Sequence, residues 1–148
     1  MYTISALYDL SHTMAADYLR RFSYPWEALG GIKDLIVTLG ASLPQSEYSE
    51  AAPQVWVHKT ATIAPTAFLG APCIIGANTE VRHGAFIRGS ALVGENCVVG
   101  NSVELKNVIL FDGVQGKMSF SLTACRFLTS TMRATAFSVT RRTWAPVL

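Results

Sequence analysis

The chain has 148 residues, half of them apolar and 15% charged, with a formal net charge of +2. That is material for one domain with a sizeable core. No run reaches the roughly 18 apolar residues of a membrane span, and the opening MYTISALYDL lacks the basic and apolar regions of a secretory leader. Cys73, Cys97 and Cys125 show neither metal-ligand nor disulfide spacing, so a soluble protein of a reducing compartment, the cytoplasm, is expected, with no membrane partner.

Residues 1–54 read as a helical arm and linker. Ser11 is placed to cap a helix through about Phe22, with Met14, Tyr18 and Leu19 on one side. Pro25 suits a first helical turn. Trp26, Leu29, Ile32, Leu35, Ile36 and Leu39 come next at helical spacing, and Gly40 offers a stop. The Gly30-Gly31 pair can kink or divide this helix, and Ser42 to Pro53 reads as a polar linker.

From Val57 to Phe111 every sixth residue is bulky and apolar: Val57, Ile63, Leu69, Ile75, Val81, Ile87, Val93, Val99, Leu105 and Phe111. An α-helix turns about 100° per residue, so six steps reach its opposite face. A six-residue period fits a solenoid whose coils close from three short walls. Two positions earlier stand Val55, Ala61, Ala67, Cys73, Thr79, Ala85, Ala91, Cys97, Val103 and Ile109, mostly small. Residues two apart in a strand share a face, so one bulky and one small residue per wall are expected to fill the interior. Gly70, Gly76, Gly94 and Gly100 directly after bulky positions are expected to make the bends. Residues 55–115 thus give a β-solenoid of about three coils. The helical arm is expected to cover the open strand edge of the first coil. An amphipathic helix for lipid or a partner is the alternative role for the arm.

From residue 116 onward the period is lost. Residues 116–148 hold five bases (Lys117, Arg126, Arg133, Arg141, Arg142) and no acid, whereas residues 1–115 hold seven bases against ten acids, net −3. Such an irregular basic tail can bind nucleic acid or an anionic membrane, or it can mean that the tail was never selected as protein; no nucleic-acid partner is expected.

No Ser/His/Asp order, phosphate-cradling glycine loop or metal cluster stands out. The chemistry-bearing residues lie on the outside of the coils. Arg82, Arg88 and Lys106 each come directly after an inward residue, and Arg88 and Lys106 are 18 residues apart, one coil in this repeat. Stacked like charges repel, so an anion would favour such a site. The alternative is a solvated basic edge, balanced by Glu80 and Glu104. His83 is a weak candidate base; it lies beside Arg82, with no acid placed to orient it. His12 and His58 read as structural.

The stretch Glu80-Val81-Arg82-His83-Gly84-Ala85-Phe86-Ile87-Arg88-Gly89, then Val99-Gly100-Asn101-Ser102-Val103-Glu104-Leu105-Lys106-Asn107, resembles the hexapeptide-repeat acetyltransferases. It is similar to the acetyltransferase half of bifunctional N-acetylglucosamine-1-phosphate uridyltransferase/glucosamine-1-phosphate acetyltransferases. Residues 4–115, including Leu7-Tyr8-Asp9-Leu10-Ser11 and Tyr24-Pro25-Trp26-Glu27, resemble the UDP-N-acetylglucosamine pyrophosphorylase-related group. The resemblance implies a left-handed parallel β-helix, mainly β, with an N-terminal α-helical arm. It also implies homotrimers with sites between neighbouring helices, to whose packing the outward Phe68 and Phe86 would contribute. The implied reaction is N-acetylation of an amino sugar phosphate or related nucleotide sugar, with acetyl-CoA as co-substrate. Arg82 and Lys106 are the positions implied to hold the substrate phosphate, with Arg88 added from its stacking.

The family's catalytic histidine belongs to a His-[Leu/Phe]-x-Tyr-x-Gly-Asp segment that this sequence lacks. Read two nucleotides downstream, permitted codons for Cys125 to Val147 spell Pro-Val-Pro-His-Phe-Asn-Tyr-Ala-Gly-Asp and onward, which is what the resemblance implies after Gln115. Residues from about 116 are therefore expected to be an out-of-frame tail, and the chain a truncated, weakly active or inactive relative. A non-catalytic trimeric scaffold binding a sugar nucleotide or protein partner is the alternative.

Overall fold

The computed structural model describes residues 3–116, 121–122 and 126–128. Its centre is a parallel β-solenoid of about three turns with three walls. The first wall stacks β2 (Val55–His58), β5 (Cys73–Ile75) and the second halves of β7 (Phe86–Val93) and β9 (Glu104–Leu110). The second stacks β3 (Thr62–Ile63), β6 (Glu80–Val81) and β8 (Val98–Val99). The third stacks β4 (Phe68–Leu69) on the first halves of β7 and β9. Partners such as Thr62 and Glu80, or Cys73 and Ala91, stand 18 residues apart, so the six-residue period becomes three walls per coil.

The interior is filled as the spacing predicts from Val55 to Leu105. Val57, Ile75, Val81, Ile87, Val93, Val99 and Leu105 form one buried cluster with Cys73, Ala85, Ala91, Cys97 and Val103, while Ile63 and Leu69 are half-buried against it. Thr79 is the buried polar member, at 1% exposure. Its hydroxyl donates to the Gly94 carbonyl at 2.8 Å and accepts from the Cys97 N–H at 3.1 Å, so neither partner is left unsatisfied.

Two expectations about the coils need correction. Phe111 and Ile109 do not face the interior; they pack outside, against the helices, and Val108, Leu110 and Val114 line the interior instead. Across the β7–β9 ladder Ile87 meets Leu105, but Gly89 meets Lys106 and Ala91 meets Val108. The third coil is one residue short at this corner, which throws the side chains from Val108 to Val114 to the opposite face. Nor do the glycines after the bulky residues make the bends. Gln54, Asn78, Gly84, Ser90, Asn96, Ser102, Asn107 and Gly113 have φ from +50 to +75°, each directly before an inward residue, and Gly89 has φ +122°. Asparagine tolerates that region better than most side chains. Gly70, Gly76 and Gly94 serve close stacking: a Cβ on Gly70 would come within 2.8 Å of the Ile87 carbonyl oxygen, and one on Gly76 would overlap the Gly94 carbonyl.

Side chains also tie coil to coil at this spacing. Thr60 Oγ1 accepts from the Asn78 N–H (2.9 Å), and Thr66 Oγ1 from the Gly84 N–H (3.1 Å). At the short coil Asp112 Oδ1 takes the Glu95 N–H at 2.7 Å.

Ahead of the solenoid lie α1 (Ile4–Leu7), α2 (Ala16–Leu19) and α3 (Ile32–Ser42). The helix expected from Ser11 to Phe22 is interrupted. Asp9 accepts from the Ser11 N–H and starts a single turn over Leu10–His12; Thr13 is then extended, and its hydroxyl oxygen takes the Ala15 N–H. Pro25 opens a 3-10 turn to Gly31, with the Glu27 carboxylate accepting from the Ser23 and Tyr24 N–H groups. The Gly30-Gly31 pair divides this turn from α3. Gly40 is not a stop; it lies inside α3, where a Cβ would overlap the Trp56 ring.

These helices pack on the outside of the first wall. Ile4, Leu19, Ile32 and Ile36 bury against Ile74, Leu92, Ile109 and Phe111, with Trp56 beside them. Burying each such side chain is worth about 1.5–3 kcal/mol. The region read as a linker holds β1 (Tyr48–Ala52), antiparallel to β2. It is β1 that covers the β2 edge, while the helices lie along the wall.

Past the third coil, β10 (Gln115–Gly116), β11 (Ser121–Leu122) and β12 (Arg126–Leu128) pair in parallel with Val98–Val99, Glu104–Leu105 and Val108–Leu110. Cys125 and the tail bases Lys117, Arg133, Arg141 and Arg142 lie outside the described residues, so the irregular tail is described only at these strands.

Candidate functional site

Alternation along β6 turns Thr79 and Val81 inward and leaves Glu80 and Arg82 on the outer side of the second wall. The Arg82 Nε donates to Glu80 Oε1 at 3.0 Å and Nη2 to Oε2 at 3.4 Å. The side chains stay 40% and 46% exposed, so solvent screens the pair and its net stabilisation is small.

After Arg82 the chain turns through His83 and Gly84, the Ala85 N–H closing on the Arg82 carbonyl at 3.2 Å. Thr66 holds this turn from one side, and the Ser102 N–H donates to the His83 carbonyl at 3.3 Å from the other. His83 is exposed, and it lines an open depression of about 360 Å³ with Thr62, Ala64, Glu80, Arg82 and Asn101. The coil repeat explains the grouping. Asn101 stands one coil above His83, and Thr62 pairs with Glu80 one coil below. Neither Thr62 nor Asn101 was singled out from sequence, although the 18-residue spacing contains both.

Arg88 lies at the next corner, exposed, with Nη1 donating to Glu104 Oε1 of the following coil at 2.8 Å. Lys106 is exposed on the same corner of that coil, opposite Gly89. The sequence spacing therefore brings Arg88 and Lys106 to one corner, and the short coil offsets them. Arg82 is at a different corner, so one chain groups Arg82 with His83, and Arg88 with Glu104 and Lys106. The carboxylates expected to balance the basic edge do contact both arginines.

The other histidines make local contacts. His58 Nδ1 accepts from the Thr60 N–H at 3.1 Å, and its ring stands edge-on to Tyr48. His12 lies 3.7 Å from Asp9. Burial pushes the Cys73 thiol up to about 12 and the Cys97 thiol up to about 11, so neither is a nucleophile near neutral pH. Among the described residues no cluster of three metal-ligating side chains occurs, and no helix is long and apolar enough to cross a membrane. No known family model matches the chain, and no curated protein matches it in sequence.

Proposed function

We propose that this chain is a sugar-phosphate acyltransferase of the hexapeptide-repeat type, with a left-handed coil and an N-terminal helical arm, that binds an amino sugar phosphate and turns it over weakly or not at all. The observation that carries the reading is the depression beside Arg82, where a guanidinium, an exposed imidazole and the Asn101 amide converge. An arginine fork matches phosphate oxygens. In the proposed reaction the sugar amine attacks the thioester carbon of acetyl-CoA. The C–N bond forms, the C–S bond breaks, the amine proton passes to His83, and the CoA thiolate leaves and is protonated. Among the described residues no carboxylate makes a hydrogen bond or ion pair with the His83 ring, which supports slow turnover. Lys106 and Arg88, at their own corner, would complete a phosphate site between neighbouring copies of a cytoplasmic homotrimer, to whose packing Phe68 and Phe86 would contribute.

The absence of the family's histidine segment results, in this proposal, from an out-of-frame tail beginning near residue 116. DNA sequence across the codons for Phe111 to Cys125 tests it; an unbroken reading frame with no shifted continuation rejects it.

Thiol release from acetyl-CoA in the presence of glucosamine-1-phosphate tests the activity. A slow rate abolished by His83→Ala supports the reading. Robust turnover unaffected by that change rejects His83 as base. The second reading is a non-catalytic scaffold that binds a nucleotide sugar or protein partner. It is favoured by the carboxylates that contact Arg82 and Arg88, and it expects nucleotide-sugar binding without thiol release.

A further inference from the structure

We propose that Glu80 is a specificity-determining residue of the Arg82 depression, selecting ligands that carry an ammonium group together with a phosphate. The inference rests on the reading of that depression as a phosphate site. Glu80 lies in β6 and Arg82 directly follows that strand, and both line the depression. In the free protein they neutralise one another at 3.0 Å. A ligand bearing only phosphate competes with Glu80 for this guanidinium, and it sets the Glu80 carboxylate beside a second anion. A ligand bearing phosphate and ammonium exchanges with both partners: phosphate replaces carboxylate on Arg82, and ammonium replaces guanidinium on Glu80. The count of opposite-charge contacts then rises from one to two.

Further polar groups surround the exchange. Thr62 lies beside Glu80 on the preceding coil, and Asn101 lines the side near His83. Once the ammonium has given a proton to solvent, acylation of the free amine yields a neutral amide, so the same carboxylate that favours the substrate ceases to hold the product. Glu80 therefore acts by selecting the amine and releasing the amide, while Arg82 serves both.

Calorimetric titration of the full chain with glucosamine-1-phosphate, glucose-1-phosphate and N-acetylglucosamine-1-phosphate tests this. The expected wild-type result is about fivefold tighter binding of the amine than of the other two, the scale of a solvent-screened charge pair. Glu80→Gln should abolish that preference and leave glucose-1-phosphate bound at least as tightly. Arg82→Gln should weaken all three. An amine preference that survives Glu80→Gln overturns the inference, as does equal wild-type binding of the three sugars with a normal Arg82→Gln loss; in both cases the phosphate site stands. If none of the three binds, or Arg82→Gln changes nothing, the phosphate site itself is rejected and Glu80's role with it. Unchanged thermal unfolding of both variants serves as the folding control.

Discussion

Lys106 lies across the ladder from Gly89, not from Arg88. Ile87 and Ala91 are separated by Arg88, Gly89 and Ser90, whereas Leu105 and Val108 are separated only by Lys106 and Asn107. Asn107 takes the left-handed turn at φ +50° that Ser90 takes at +52° one coil earlier. Arg88 is thus the extra residue of a bulge, free to lean toward Glu104, and the following coil carries its lysine on a tighter corner. Bulges commonly re-aim side chains, and this one offsets the two cations that strict stacking would place in line.

Close coil stacking predicts a sharp response at Gly76. A Cβ there would overlap the Gly94 carbonyl, which is backbone and cannot swing aside. Gly76→Ala should destabilise by about 1–3 kcal/mol. Gly30→Ala, with nothing within 4 Å of the added methyl, should be close to neutral. Urea unfolding of both variants measures the contrast; equal midpoints would mean that the coils are not held at this spacing.

Thr79 sets a second test. Thr79→Val keeps the shape but leaves the Gly94 carbonyl and the Cys97 N–H without their partner in a dry interior. The expected loss is about 1–3 kcal/mol. Thr79→Ser, which keeps the hydroxyl, should lose less. The order is read from chemical denaturation; Val at or above Ser in stability would refute the role of these bonds.

The interior was legible because its period is unlike that of any helix or flat sheet. The phase error at Phe111 has a physical cause. Val108, Ile109, Leu110 and Phe111 are all apolar, so both phases of the pattern find hydrophobic residues, and a one-residue deletion leaves no trace. The cover of the first wall was also written in the chain. Trp56, Ile74 and Leu92 recur at 18 residues on the outward side, one wall in three, which marks where α3 packs. An interior period of six hides that longer repeat. At the candidate site the arginines and His83 were visible as residue types, whereas Thr62 and Asn101 join them only through coil register.

That outward row yields the third test. Leu92 is buried beneath the helices at 1% exposure, whereas Phe86 on the third wall is 43% exposed and packs on Phe68 with tilted rings whose centroids are 5.0 Å apart. Leu92→Ala should cost about 2–5 kcal/mol. Phe86→Ala in the single chain should cost less, because solvent already reaches its ring. Thermal unfolding of the pair checks this; a larger loss for Phe86 would place the main cover on the third wall or reveal an assembly contact there.

The interior thiols give the last prediction, in a Cys125→Ser background that leaves only Cys73 and Cys97. Burial raises both, to about 12 and about 11. Their unfolded value is near 9.0, so between pH 9 and 11 the unfolded chain loses thiol protons that the folded chain keeps. Stability therefore falls as pH rises through that window, and below it these two groups contribute no pH dependence. Alkylation at pH 8 should proceed only as fast as the chain opens, and mild urea should accelerate it steeply. Fast, urea-independent labelling at pH 8 would show that the interior is open to reagent.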